Sequence, residues 1–102
     1  MKNSFRETVY KILRQVPRGK VVTYGQLARW AGNRKSARAV GALMRVNPDA
    51  PRTPCHRVVA SDGSLTGYSA VGGIAKKRIM LVEEGVMFAK GKVDLSQSLW
   101  KR

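Results

Sequence analysis

The sequence predicts a mainly α fold with a small β element, organised around a helix-turn-helix. Three observations carry that expectation. Apolar residues recur at helical spacing in four separate segments. Two of these segments open with a Ser or Thr three residues ahead of a Glu or Gln, the spacing of a capping box. Two short helical segments are separated only by the tight, glycine-containing turn "GNRK".

Each element follows from its own residues. In "SFRETVYKILRQV", Ser4 and Glu7 supply the cap, and Phe5, Val9, Ile12, Leu13 and Val16 form one apolar stripe. "PRGK" ends that helix in a turn. "VVTYGQLARWAG" reads as a short extended piece followed by a short helix, capped by Thr23 and Gln26 and stopped by Gly32. In "SARAVGALMRV", Ala37, Val40, Gly41 and Met44 can face inward, while Arg38, Ala42 and Arg45 share another stripe. This helix is nearly free of bulk, and small residues flanked by arginines let a backbone come close to a duplex. "NPDAPRTPCHRVV" is a proline-rich link ending in a β-like segment. "ASDGSLTGYSAVGG" is a loop with turn chemistry at Asp62-Gly63. "IAKKRIMLVEEGV" is a helix stopped by Gly85, and "MFAKGKVDLSQSLWKR" gives a hairpin about Gly91 and a tail ending near Trp100.

The 102 residues suit one domain, 1–102, able to bury roughly two-thirds of its unfolded surface. One cysteine excludes an internal disulfide, and one cysteine with one histidine is too few for a zinc site of those residues. The N-terminus has no signal-type apolar stretch, and no apolar run approaches the ~20 residues that span a bilayer. The expectation is a soluble protein of a reducing compartment, most simply the cytoplasm, with no membrane partner.

Charge points to the partner. The net charge is +14, and residues 1–57 hold thirteen basic residues against two acidic ones. A field of this sign and size favours a polyanion, with nucleic acid foremost. The predicted fold thus becomes a helix-turn-helix, winged-helix-like DNA-binding domain. Ala39, Gly41 and Ala42 offer no side chain that reads bases, which argues against a sequence-specific regulator.

The only cysteine and the only histidine, Cys55 and His56, are neighbours in "TPCHRVV". An imidazole can take a thiol proton, and a carboxylate on its far nitrogen can hold the tautomer. Asp49, Asp62, Glu83 and Glu84 are the candidate carboxylates. Adjacent residues of a β-like segment point to opposite sides, so a relaying water between Cys55 and His56 is expected.

"PCHRVV" resembles the active-site signature of the O6-alkylguanine-DNA alkyltransferases, which repair DNA by direct reversal. "TYGQLA", "ARAVGALM", the "NP" eight residues before Cys55, the "GY" whose tyrosine lies thirteen after it, and "EEG" follow in family order, so the resemblance runs from about residue 4 to 88. It implies that Cys55 is the alkyl acceptor, His56 its water-mediated base and Glu84 the carboxylate orienting that base. Asn47 then matches a hinge residue bracing the helix-turn-helix against the active-site segment. Tyr24 matches the residue that meets the 3′ phosphate and assists guanine departure, and Arg38 the finger that fills the space left by a flipped nucleotide. Ala37 would enter the minor groove, with Ser36, Arg45 and Arg57 among the DNA contacts. Met44, Val58, Tyr68 and Ser69 would form the lesion pocket.

The implied activity is single-turnover: the protein flips O6-alkylguanine out of duplex DNA and moves the alkyl group irreversibly to Cys55, with no metal or organic cofactor, as a monomer. Extrusion costs a few kcal/mol, less at an already damaged pair. The chain is expected to lack the N-terminal domain of full-length alkyltransferases. Its size and Trp100 tail look like the alkyltransferase-like proteins, which bind the lesion without transfer and flag it for nucleotide excision repair proteins. Those proteins typically replace the cysteine, whereas Cys55 and Asn47 are both present here. "SAVGG" looks about two residues longer than the usual loop, which bears on pocket shape.

Overall fold

The structure is a computed structural model and describes residues 4–66 and 72–102. The element order is α1 (Phe5–Leu13), β1 (Val22–Thr23), α2 (Tyr24–Trp30), α3 (Ala37–Arg45), a 3-10 turn (Cys55–Arg57), β2 (Val58–Val59), α4 (Gly73–Glu83), β3 (Phe88–Ala89), β4 (Lys92–Val93) and α5 (Leu95–Ser98).

Both expected capping boxes form. Ser4 Oγ accepts from Glu7 N at 3.1 Å, and Thr23 Oγ1 accepts from Gln26 N at 3.1 Å, each with the reciprocal bond. α1 buries Val9, Tyr10, Ile12 and Leu13. α2 buries Leu27 and Ala28, and α3 buries Val40 and Met44. These faces close one core, and the Tyr10 hydroxyl locks α1 to α3 by donating to Leu43 O at 2.6 Å.

β1 and β2 pair in parallel, Val22 against Val58 and Thr23 against Val59. Alternation along so short a ribbon sends its residues to two sides. Val22 and Val58 enter the helix-turn-helix core, while Val21 and Val59 join Leu81, Val86 and Val93 in a second one. The tail borders the other edge of β1: Trp100 N donates to Val21 O at 2.8 Å, and Gln26 Nε2 to Trp100 O at 3.0 Å. Trp30 and Trp100 then meet edge to face, 5.7 Å between centroids.

The hairpin turn carries positive φ at Lys90 and Gly91, the requirement of a tight two-residue connection. Gly63 has φ +88°, and a Cβ there would lie 2.3 Å from Val93 O, so only glycine lets the loop after β2 dock on β4. No helix is long and apolar enough to cross a membrane among the described residues.

The pairing of β1 with β2 sets the geography. β1 runs directly into Tyr24 at the start of α2, and β2 follows directly from the Cys55–Arg57 turn. Four residues of paired backbone therefore fix the thiol segment against the helix-turn-helix.

Candidate active site

Cys55 to Arg57 form one turn of 3-10 helix, where a β-like conformation was expected; extended backbone begins only at Val58. The cause is local. Thr53 O accepts from Cys55 N and Pro54 O from Arg57 N, both at 2.9 Å, which coils the chain immediately behind the proline. Side chains on such a turn diverge by about a third of a circle rather than to opposite faces. Cys55 is 7% exposed and His56 is 2% exposed.

Glu84, on the last turn of α4, reaches both residues that follow the thiol. Its Oε2 lies 3.0 Å from His56 Nε2. Arg57 grips the same carboxylate in bidentate fashion, Nε to Oε1 at 2.9 Å and Nη2 to Oε2 at 2.7 Å, and donates Nη1 to Val16 O at 2.8 Å. Burial pushes the Glu84 carboxyl up, but the hydrogen bonds from Arg57 and His56 outweigh it and hold it below the usual carboxylate range. Arg57 was expected among the DNA contacts. The structure engages its guanidinium inside the site instead, because a buried carboxylate beside an imidazole demands a full cationic partner.

Burial lowers the His56 pKa further than Glu84 raises it, so the ring is neutral at pH 7. With an ionised carboxylate on Nε2, the single ring proton belongs there. Nδ1 is then the basic nitrogen, and it is buried with no hydrogen-bond partner among the described residues. A site thus contains a thiol, an adjacent neutral imidazole with its lone pair uncommitted, and an anion that fixes the tautomer.

Asn47 ties the end of α3 to the segment ahead of Cys55. Its Nδ2 donates to Thr53 O at 2.7 Å, and its Oδ1 accepts from Asp49 N at 3.0 Å. Asp49 Oδ2 in turn accepts from Thr53 Oγ1 at 3.0 Å. The link from α3 to Cys55 is therefore a hydrogen-bonded turn closed by Asn47. Met44 and Val58 pack in the same buried cluster as Cys55. Tyr68 and Ser69 lie outside the described residues, as does most of the long loop.

Tyr24, Ala37, Arg38, Gly41, Arg45 and Thr66 line an open cleft of about 510 Å³. Gly41 faces the Tyr24 ring: a Cβ built there would lie 4.0 Å from Tyr24 Cε1, an ordinary contact. Arg38 and Arg45 are exposed, and Ser36 is half-buried at the start of α3 without a side-chain cap bond.

Lys77 was missed by sequence reading. It is 1% exposed and donates to Val58 O at 2.6 Å and Thr66 O at 2.9 Å. Burial pushes its ammonium down to about 8. The signal was available: Lys77 shares a helical stripe with Leu81 and Glu84, at i, i+4 and i+7. Among the described residues, no cluster of three His, Cys, Asp or Glu could hold a metal.

Residues 4–86 match the family model described as 6-O-methylguanine DNA methyltransferase, DNA binding domain. The chain belongs to that family. A human methylated-DNA–protein-cysteine methyltransferase is 48% identical over 94 residues, covering 92% of this chain and 44% of the relative. This member of the family thus spans under half the length of that relative. Two solved structures share its fold. S. pombe Atl1 in complex with damaged DNA containing O6-carboxymethylguanine is 32% identical, with TM-score 0.86 and full coverage of both chains. Mycobacterium tuberculosis OGT in complex with DNA is 36% identical, with TM-score 0.75, covering 97% of this chain and 54% of the other. The helix-turn-helix expectation agrees with both.

Proposed function

We propose that this chain repairs DNA by direct reversal, binding the minor groove, extruding O6-alkylguanine and transferring the alkyl group to Cys55. The observation that carries the proposal is the complete set of Cys55, His56 with Nδ1 uncommitted, and Glu84 fixed by Arg57. His56 Nδ1 takes the thiol proton through a relaying water. The thiolate attacks the alkyl carbon, an S–C bond forms and the C–O6 bond breaks. Tyr24, on the DNA-facing side, gives its phenolic proton to the departing guanine, and the proton held by His56 is returned to the phenolate through water. The product thioether offers no route back to thiol, so each molecule acts once. Arg38 and Arg45 in the cleft supply charge for the DNA, and the side chain of Arg38 fills the vacated stack. The protein acts as a monomer in this scheme.

The full-length match to S. pombe Atl1 supports a second reading, a lesion sensor that recruits nucleotide excision repair proteins without transfer. Intact mass separates the two. Incubation with a duplex containing O6-methylguanine is expected to add one methyl group, on Cys55, with stoichiometric loss of the lesion. Tight lesion binding with no mass change would leave the sensor reading in its place.

A further inference from the structure

Three contacts converge on Thr66, in the loop that follows β2. Its carbonyl accepts from Lys77 Nζ at 2.9 Å. The Tyr24 hydroxyl lies 3.4 Å from that same carbonyl and 3.2 Å from Thr66 Oγ1. Lys77 is itself anchored, through Val58 O, to the strand that leaves the thiol turn. Thr66 is thus held from behind by a buried cation and faces Tyr24 across the cleft that both line. Gly41 of α3 is near the phenol ring as well.

A phenol has one proton to give. Donated to Thr66, it is withheld from any ligand in the cleft. Received from Thr66, a hydrogen bond leaves the phenolic proton available and polarises it further. The contacts favour the second arrangement. The hydroxyl oxygen is nearer. When Thr66 Oγ1 donates to the phenol, the only bond left to the phenolic proton among the described residues is the long 3.4 Å one to a carbonyl that Lys77 already holds at 2.9 Å, which a ligand in the cleft can displace. We propose that Thr66 is a positioning residue for lesion recognition: its hydroxyl donates to the Tyr24 oxygen, fixes the ring over the cleft and leaves the phenolic proton for the DNA. This rests on the lesion-binding function proposed above.

The test is run in Cys55→Ala protein, so that no transfer intervenes. The readout is the ratio of affinities for one duplex carrying O6-methylguanine or guanine at the same position. Thr66→Val keeps the shape and removes the hydroxyl; it is expected to lower the ratio about fivefold, the worth of roughly one hydrogen bond. Thr66→Ser should restore it to within about twofold of the parent. Tyr24→Phe should lower it similarly, and adding Thr66→Val to Tyr24→Phe should then cost nothing more. An unchanged ratio in Thr66→Val, or a loss that persists in the Tyr24→Phe background, overturns the assignment. A parent protein with no lesion preference overturns the proposed function itself, and this role with it.

Discussion

Around His56 the polar side chains hold one another: Glu84 bonds to His56 and Arg57, Arg57 to Val16 O, and Lys77 to Val58 O, all buried or half-buried. Along the cleft, Arg38 and Arg45 are exposed on a helix of small residues. Burying charge is tolerable only where every partner is in place, so the first region must be built during folding. The second region faces outward, open to a ligand that arrives after folding. The contrast teaches that chemistry here is preorganised, whereas recognition draws its energy from binding. Changes in the first region should move rate and stability; changes at Arg38 and Arg45 should move DNA binding and lesion extrusion but not stability.

The largest effect is expected at His56. His56→Ala removes the proton acceptor and should slow single-turnover methyl transfer by about 10²–10³-fold, the usual worth of a positioned base. Lesion affinity should stay within about twofold, because Tyr24 and Arg38 are untouched. A comparable loss of affinity would show that the two regions are not separable. Glu84→Gln should slow transfer less, since it alters the tautomer's support rather than the base.

Arg57→Ala comes next and is a stability experiment. It leaves the Glu84 carboxylate, 9% exposed, with only a neutral imidazole beside it. Breaking such a pair should cost about 2 kcal/mol, and for a chain of this size roughly 10 °C in melting temperature. An unchanged melting curve would show that the Arg57–Glu84 pair contributes no stability.

The same contrast separates what was legible in the sequence from what was not. Caps at Ser4 and Thr23, the stripes of α1 and α3 and the turn at Gly91 are local rules, and each appears where its residues stand. Cys55, His56 and Glu84 were joined by resemblance to a family motif; spacing alone left four carboxylates open. The 3-10 turn was missed because it follows from backbone bonds to Thr53 and Pro54 that no side-chain pattern announces. Arg57 was assigned to DNA because a cation in a basic sequence looks like part of a polyanion footprint. Only the tertiary approach of α4 reveals the buried carboxylate that claims it. Lys77 hid for the converse reason: beside Lys76 it looks solvated, although its helical phase points inward.

On the recognition side, Arg38→Ala should reduce extrusion of the lesion by about tenfold, as one lost intercalating contact implies. A fluorescent base opposite the lesion would report it. The melting temperature should not fall, because Arg38 is exposed and alanine favours the helix. A destabilised variant would mean that the cleft is preorganised like the thiol segment, which would erase the contrast.

The smallest effect is a pH dependence, and its sign follows from burial. His56 titrates below 6.5 because loss of solvent outweighs the attraction of Glu84. The folded imidazole therefore stays neutral, and able to take the thiol proton, at pH values where a free one is protonated. A free histidine loses about threefold of its neutral form between pH 7 and 6. Transfer by the wild-type protein should lose less than that over the same interval, with its acid limb at lower pH. Stability should behave oppositely. The unfolded His56 binds its proton as pH falls through 6.5 while the folded one does not, so this residue draws stability down from pH 6.5 toward its own lower pKa. Glu84, held below the usual carboxylate range, contributes stability above 4.5 that disappears only as pH falls through its lowered value. Transfer rates from about pH 5.5 to 8 and melting curves carried down to about pH 3 would check both signs, and Arg38→Ala should reproduce the rate profile at a lower amplitude. An acid limb centred at 6.5 or above would mean that Glu84, rather than burial, governs the base.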